Sequence, residues 1–430
     1  MNSIVLKGAQ LSDGREVDIR ITADKIEAIG SNLAGDQVID CSGLIALAGF
    51  VDLHTHLREP GYEASETVLT GTQSAALGGF TAVHAMANTD PVADTAGVVE
   101  QIRSLGIEAG YVDVFPIGAV TVGLEGKQLA ELGAMAQSKA AVKVFSDDGK
   151  CVSDPLLMRR ALEYVKAFGG VIAQHAQEPR LTEGAQMNAG LVSSELGLAG
   201  WPAVAEESII ARDVLLAEHV GSRIHICHLS TKGSVEIVRW AKSRGINVTA
   251  EVTPHHLLLT DELARSYDPI YKVNPPLRTE ADVLALREAL IDGTIDIVAT
   301  DHAPHPIEAK DCEWNAAAFG MVGLETAASV AQLVLIESGK SDWKRLESVL
   351  SSKPAEIAGD ANHGELAVGR TANLTLIDPK AQRKIARETA SKSVNNPYTD
   401  RELPGAVIHT IFNGRFTVLN GALQKQEEIA

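Results

Sequence analysis

Cysteine is scarce in this 430-residue chain, and the four present, Cys41, Cys151, Cys227 and Cys312, stand far apart. With no CxxC pair, neither a cysteine zinc site nor a disulfide scaffold is expected. Long apolar runs are missing as well. None reaches the about 18 residues that a spanning helix needs. The opening MNSIVLKGAQLSDGREVDIR carries no sustained apolar segment, so no signal peptide is expected. Positive charge is short: 38 Lys and Arg stand against 56 Asp and Glu, a net charge of −18 at pH 7. That balance argues against nucleic-acid backbones and anionic membranes as partners. A reduced, cytoplasmic protein acting on a small molecule is the expectation. An anionic substrate would then need local positive charge from a metal or an arginine.

What is present is strand-rich at both ends and different in the middle. Residues 1–48 read as short strands with polar turns, and the alternation in VDIRIT marks a half-buried strand. From about residue 365 the pattern returns, with RTANLTLIDP as a strand and IHTIFNGRFTVLNG as a hairpin turning at Asn413-Gly414. Both termini are expected to build one small β-sandwich, residues 1–48 and 363–430. Between them, 49–362 repeats a short apolar strand, a loop and an amphipathic helix. The strands are GFVDLHTH, FTAVHAMA, YVDVFPIGAV, AAVKVFSD, GVIAQHA, RIHICHLS, NVTAEVT and DIVATDHA, with helices over 65–77, 155–168, 204–219, 233–244 and 280–291 among those between. Eight such units are the pattern of an α/β fold of the (β/α)8 TIM-like barrel type. No GxGxxG follows the first strand, which argues against an open dinucleotide-binding sheet.

Barrel chemistry sits at the C-terminal strand ends. There the sequence places His54 and His56, Asp147 and Asp148, His175, His228 and Asp301. A lone strand-end histidine is more often a core residue, and a lone aspartate after a strand more often a helix cap. Convergence on one rim changes that reading. Strict alternation puts Asp52, His54 and His56 on one face of the first strand, and turns His225 outward if His228 faces the mouth. Four histidines with aspartates suit a zinc-type nitrogen and oxygen site, and they are too many for one tetrahedral ion with an open position. Two ions sharing a carboxylate would use them all. Arg58, two residues beyond His56, then predicts a substrate carboxylate. Its alternative is a rim salt bridge to Glu59, Glu63 or Glu66.

These residues lie in the segments VDLHTHLREPG, ANTDP, FSDDGKCVSD, ICHLST, EVTPHHLLLT, KVNPPLR, ATDHAPH and FGMVGLET. Together they resemble the cyclic-amidohydrolase branch of the amidohydrolase superfamily, and within it the type I bacterial dihydroorotases, over the whole chain. The resemblance implies two zinc ions per subunit, one held by His54, His56 and Asp301, the other by His175 and His228, with Asp148 bridging. It implies Arg58, Asn88 and His305 on the substrate carboxylate, His56 also near the substrate, and Asn274 with the Phe319-Gly320 backbone around the ring. It implies reversible interconversion of dihydroorotate and N-carbamoyl-L-aspartate in pyrimidine synthesis, with Asp301 as acid and base. A homodimer is expected, and aspartate carbamoyltransferase is a candidate partner.

Departures lie beside the ligands: HAQEP stands where HCED is common, Ala48 where a proline is usual, and Ala87 where MPN is common. Lys143 leaves an alternative, because KVF resembles the hydantoinase segment that carries a carboxylated bridging lysine. Five residues separate it from Asp148, roughly 16 Å of extended strand, so one of the two bridges, and Asp148 is the expectation. The rival functions are a hydantoinase or allantoinase, whose substrates lack the carboxylate, and a metal-free structural partner of aspartate carbamoyltransferase.

Overall fold

The computed structural model describes residues 3–425. Strands from both ends of the chain share one nine-stranded mixed sheet, and they meet where Leu374–Ile377 runs antiparallel to Ile45–Ala48. The sandwich expected of the termini is thus hydrogen-bonded as a single sheet. The alternation in VDIRIT is realised: Val17, Ile19 and Ile21 join Leu6, Ile26, Leu374, Leu376 and Ile411 in one apolar cluster. The hairpin turns at Asn413 and Gly414, both at positive φ (51° and 79°), as a tight turn matched to strand twist requires.

The middle of the chain contributes eight short parallel strands at the expected places. They are β1 (Phe50–Thr55), β2 (Phe80–Ala85), β3 (Asp113–Pro116), β4 (Val144–Phe145), β5 (Val171–Gln174), β6 (Ile224–Ile226), β7 (Val248–Val252) and β8 (Ile297–Val298). Hydrogen bonds join β1-β2-β3 in one arc and β4-β5-β6-β7-β8 in another. Single parallel bridges link the arcs at both edges, Gly118 to Phe145 and Thr55 to His302. The order around the ring therefore follows the sequence, as in a (β/α)8 barrel.

Two apolar layers explain the continuous hydrophobic strands. Val51, Leu53, Ala82, Val144, Val171, Ala173, Cys227, Ile297 and Ala299 pack together inside the ring. Phe50, Phe80, Val83, Phe145, Ile172, Ile224, Ile226 and Val298 belong to the larger cluster shared with the helices. Helix Pro155–Lys166 shows why the helices form where they do. Asp154 caps it by accepting from Leu157 N, proline opens it, and Met158, Ala161, Leu162 and Val165 bury one stripe. Helices Lys232–Ser243 and Glu280–Asp292 start the same way, on Thr231 and Thr279. Both strands and helices thus aim the C-terminal strand ends, and the loops after them, at one mouth.

Candidate active site

Asp148 stands at the centre of that mouth. Its Oδ1 lies 3.3 Å from His54 Nε2, 3.2 Å from His175 Nδ1 and 3.4 Å from His228 Nε2, and its Oδ2 lies 3.3 Å from His56 Nε2. Asp301 Oδ1 approaches His56 Nε2 at 3.1 Å and His54 Nε2 at 3.4 Å. His175 Nδ1 and His228 Nε2 are 2.8 Å apart. All six side chains are buried. Of three ligand-like groups among the described residues, two, His54-His56-Asp148 and Asp148-His175-His228, therefore share one carboxylate; the third is His54-Cys227-Glu251.

The far nitrogens of three of these histidines are tied down, which turns the near ones inward. His54 Nδ1 donates to Glu251 Oε1 (2.6 Å), His56 Nδ1 to Asn88 Oδ1 (2.9 Å) and His175 Nε2 to Gln177 Oε1 (2.7 Å). Such outer hydrogen bonds fix the tautomer and orientation a ligand needs. Gln177 belongs to the HAQEP departure, so the unusual residue has a partner. Glu251 does more. Its Oε1 also accepts from His228 N (3.1 Å) and its Oε2 from His225 Nε2 (3.0 Å). One buried carboxylate thus braces a histidine from each of the two groups that share Asp148. Nothing in the sequence separates Glu251 from an ordinary β7 residue except its acidity inside an apolar strand.

Two parity expectations fail. His225 does not face outward: it is buried against Glu251 and donates or accepts at Thr249 Oγ1 (2.8 Å). Alternation carries His225 and Cys227 into the ring together, and the chain leaves the strand at His228 with φ 31°, which swings that side chain to the mouth as well. In β1 it is Val51 and Leu53 that fill the interior. The register against β2 slips between Asp52 and Thr55. Asp52 turns to Thr300 N (2.9 Å) and Thr55 Oγ1 (2.7 Å), and His54 reaches the mouth through that irregularity. Arg58 (φ 64°) and Asp301 (φ 45°) share the left-handed conformation of His228. It costs roughly 1–2 kcal/mol per non-glycine residue and clusters at functional sites.

The electrostatics favour a cation. Burial alone would lower His54, but Asp148, Glu251 and Asp301 outweigh it and hold the imidazole well above its usual range. His56 is raised in the same way by Asp148 and Asp301, against burial and the Arg58 charge. Burial raises Asp148, yet the surrounding histidines hold it well below the carboxylate range, and Asp301 is brought down to about 2 by His54 and His56 against its burial. Such histidine protons are what a divalent cation displaces on binding. Among the described residues, His54 Nε2 has no hydrogen-bonded partner although it is buried. The donor set, neutral imidazoles plus carboxylates, fits zinc.

Arg58 sits at the rim, half-buried, with Nε donating to Pro304 O (3.2 Å) and Nη2 standing 3.5 Å from His305 Nε2. No carboxylate lies within ion-pair distance of it among the described residues. The three glutamates offered as alternatives are engaged elsewhere: Glu59 accepts from Val68 N, Glu63 from Gly61 N, and Glu66 from His302 and Lys392 N. Burial lowers the guanidinium to about 10 against the pull of Asp301 and Asp148, so it stays charged at neutral pH. Asn274 donates to Gln177 Oε1 (3.2 Å), and its buried Oδ1 has no partner among the described residues. His255, which the sequence reading passed over, follows β7 and has a buried Nε2 in the same condition. The Phe319-Gly320 backbone is engaged internally, Phe319 O by His305 Nε2 (2.8 Å) and Gly320 N by Lys272 O (3.0 Å). Lys143 is exposed just before β4, whereas Asp148 follows that strand into the mouth.

The family model described as Dihydro-orotase-like matches residues 43–234. A dihydroorotase from Streptomyces coelicolor is 66% identical over 98% of this chain and 100% of its own length, and one from Leifsonia xyli is 67% identical over 98% and 97%. Among solved structures, the L-hydantoinase (dihydropyrimidinase) of Arthrobacter aurescens superposes with a TM-score of 0.88 at 26% identity, covering 99% of this chain and 98% of that one. The barrel is thus common ground with hydantoinases, while end-to-end identity falls with the proteins that act on dihydroorotate by name, and on that ground this chain belongs to the dihydroorotase family.

Proposed function

We propose that this protein catalyses the reversible hydrolysis of (S)-dihydroorotate to N-carbamoyl-L-aspartate, the ring-forming step of pyrimidine synthesis run in either direction. The observation that carries the reading is Arg58: a charged, half-buried guanidinium at the mouth with no carboxylate partner among the described residues. Hydantoins and allantoin bring no ring carboxylate to it, whereas dihydroorotate does.

In this reading His54, His56 and Asp301 would hold one zinc ion, His175 and His228 would hold a second, and Asp148 would serve both. Zinc held there would polarise an amide carbonyl and make a water proton easier to lose. The protein does the rest. Arg58, His305 and the free Asn88 amide hold the substrate carboxylate, and Asn274 meets the ring through its buried Oδ1. Asp301 accepts the proton of the attacking water and passes it to the ring nitrogen as the amide bond breaks. The setting is the cytoplasm, where all four free cysteines stay thiols. The working form is a homodimer, with aspartate carbamoyltransferase as an assembly partner, which light scattering of the protein alone and with that enzyme tests.

Arg58→Met is expected to raise KM for dihydroorotate roughly 10- to 150-fold, because a charge-assisted contact contributes on the order of 1.5–3 kcal/mol. Bound metal should not change. An unaltered KM would place the carboxylate elsewhere and weaken the dihydroorotate assignment in favour of a neutral cyclic amide.

Glu251→Gln is expected to leave the fold intact but to lower metal affinity by roughly 10- to 100-fold, as losses of outer hydrogen bonds to ligands do. Chelator competition followed by metal analysis measures this. Wild-type retention would show that His54 and His228 are held without it.

A further inference from the structure

His305 rides on a segment, 302–320, whose only helix is the single turn Ile307–Ala309. Its path is set largely from outside, by Lys272. This lysine is only 2% exposed, although lysines are rarely buried unless paired. No carboxylate pairs with it among the described residues. Its ammonium instead donates to Trp314 O (2.7 Å), Ala317 O (2.8 Å) and Asn315 O (3.3 Å), and lies 4.4 Å from the centre of the Phe319 ring. Its own carbonyl accepts from Gly320 N (3.0 Å) and from Lys310 Nζ (2.9 Å). Lys310 Nζ also reaches Pro269 O (3.0 Å).

The chain of contacts continues into the mouth. Phe319 O accepts from His305 Nε2, which stands beside Arg58 Nη2. Gly320 makes the fit close: at φ 148°, a Cβ there would lie 2.8 Å from Ala303 O and 2.9 Å from His305 Cδ2. Little slack is left between Lys272 and His305.

We infer that Lys272 is a positioning residue for substrate binding: by gathering the carbonyls of 314–317, the Phe319 ring and the Gly320 amide, it sets His305 beside Arg58 for the substrate carboxylate. The inference rests on the reading of Arg58 and His305 given above. A neutral side chain of the same length would fill the volume but leave three carbonyls without their charged donor. The segment would then relax, and binding would suffer before chemistry.

Steady-state kinetics of metal-replete Lys272→Met, beside Arg58→Met, test this. KM for dihydroorotate is expected to rise roughly tenfold, with kcat within about twofold of wild type and bound metal unchanged. Lys272→Arg, which keeps a charged donor, should recover most of the loss. An unchanged KM, or a fall in kcat at constant KM, overturns the inference, because a merely structural lysine would lower the active fraction instead. Should Lys272→Met not fold, Lys310→Met removes only the contacts to Lys272 O and Pro269 O. It is expected to raise KM roughly threefold, and no rise there overturns the inference equally. If Arg58→Met also leaves KM unmoved, the carboxylate reading falls and takes this one with it. If Arg58→Met raises KM while Lys272→Met does not, only the role of Lys272 is lost.

Discussion

Asp148→Ala is expected to abolish turnover and to strip bound metal from the protein. The reason is its position. Its two oxygens face four imidazole nitrogens at 3.2–3.4 Å, and two of the ligand-like groups contain it. Removing it leaves four histidines around a hole, with Asp301 Oδ1 still 3.4 Å from His54 Nε2 and 3.1 Å from His56 Nε2. Loss of activity should exceed the roughly 10- to 100-fold typical of an outer hydrogen-bond partner. Metal analysis gives the direct readout. Melting gives an independent one: a metal that binds only the folded state raises Tm with its concentration, so zinc should raise Tm of the wild type and not of the variant. Lys143→Ala is the control. Lys143 is exposed and precedes β4, so its loss should leave metal and activity in place, and added bicarbonate should not rescue Asp148→Ala. Metal loss in Lys143→Ala, with a carbon dioxide adduct on the wild-type lysine in intact-mass spectra, would reverse the assignment of the bridge.

The barrel was legible because its signals are local and repeated. Eight apolar runs separated by amphipathic helical stretches can be counted along the chain, and in the fold Asp154, Thr231 and Thr279 cap three of those helices. The histidines and aspartates of the mouth were legible because each ends a strand. What the sequence hid depends on departures from regular geometry. The slip in β1 and the left-handed turns at His228 and Asp301 bring side chains to the mouth that strict alternation sends elsewhere. That is why His225 was misplaced. Glu251, Gln177 and Lys272 were invisible for another reason: each acts through a residue distant in sequence, and only the folded chain brings Glu251 to His54 or Lys272 to Trp314. The single sheet at the termini was half visible. Strand content could be read from alternation, but the pairing of Ile45–Ala48 with Leu374–Ile377 joins segments more than 300 residues apart, and nothing local encodes it.

Asp301→Asn is expected to keep the fold and to cut kcat by roughly 100-fold or more, the usual scale of a lost general acid–base group. An amide fills the same space and can still accept a hydrogen bond, but it cannot take up and return a proton. The site supports the role geometrically: Asp301 Oδ1 sits 3.1 Å from His56 Nε2, and its backbone is held between two anchors, Thr300 on Asp52 and His302 on Glu66. Proton stoichiometry decides the direction with pH. As a carboxylate, Asp301 is ready to act as base in ring opening. Ring closure runs the other way: the dianion N-carbamoyl-L-aspartate takes up one proton, releases water and becomes the monoanion dihydroorotate, and Asp301 must begin protonated. Ring opening should therefore rise with pH to a plateau while ring closure falls, the two profiles crossing in opposite senses. In Asp301→Asn both profiles should lose the limb that belongs to this carboxyl. Near-wild-type kcat in a metal-replete variant, or wild-type profiles that cross the other way, would remove Asp301 from the proton path and leave it as a ligand only.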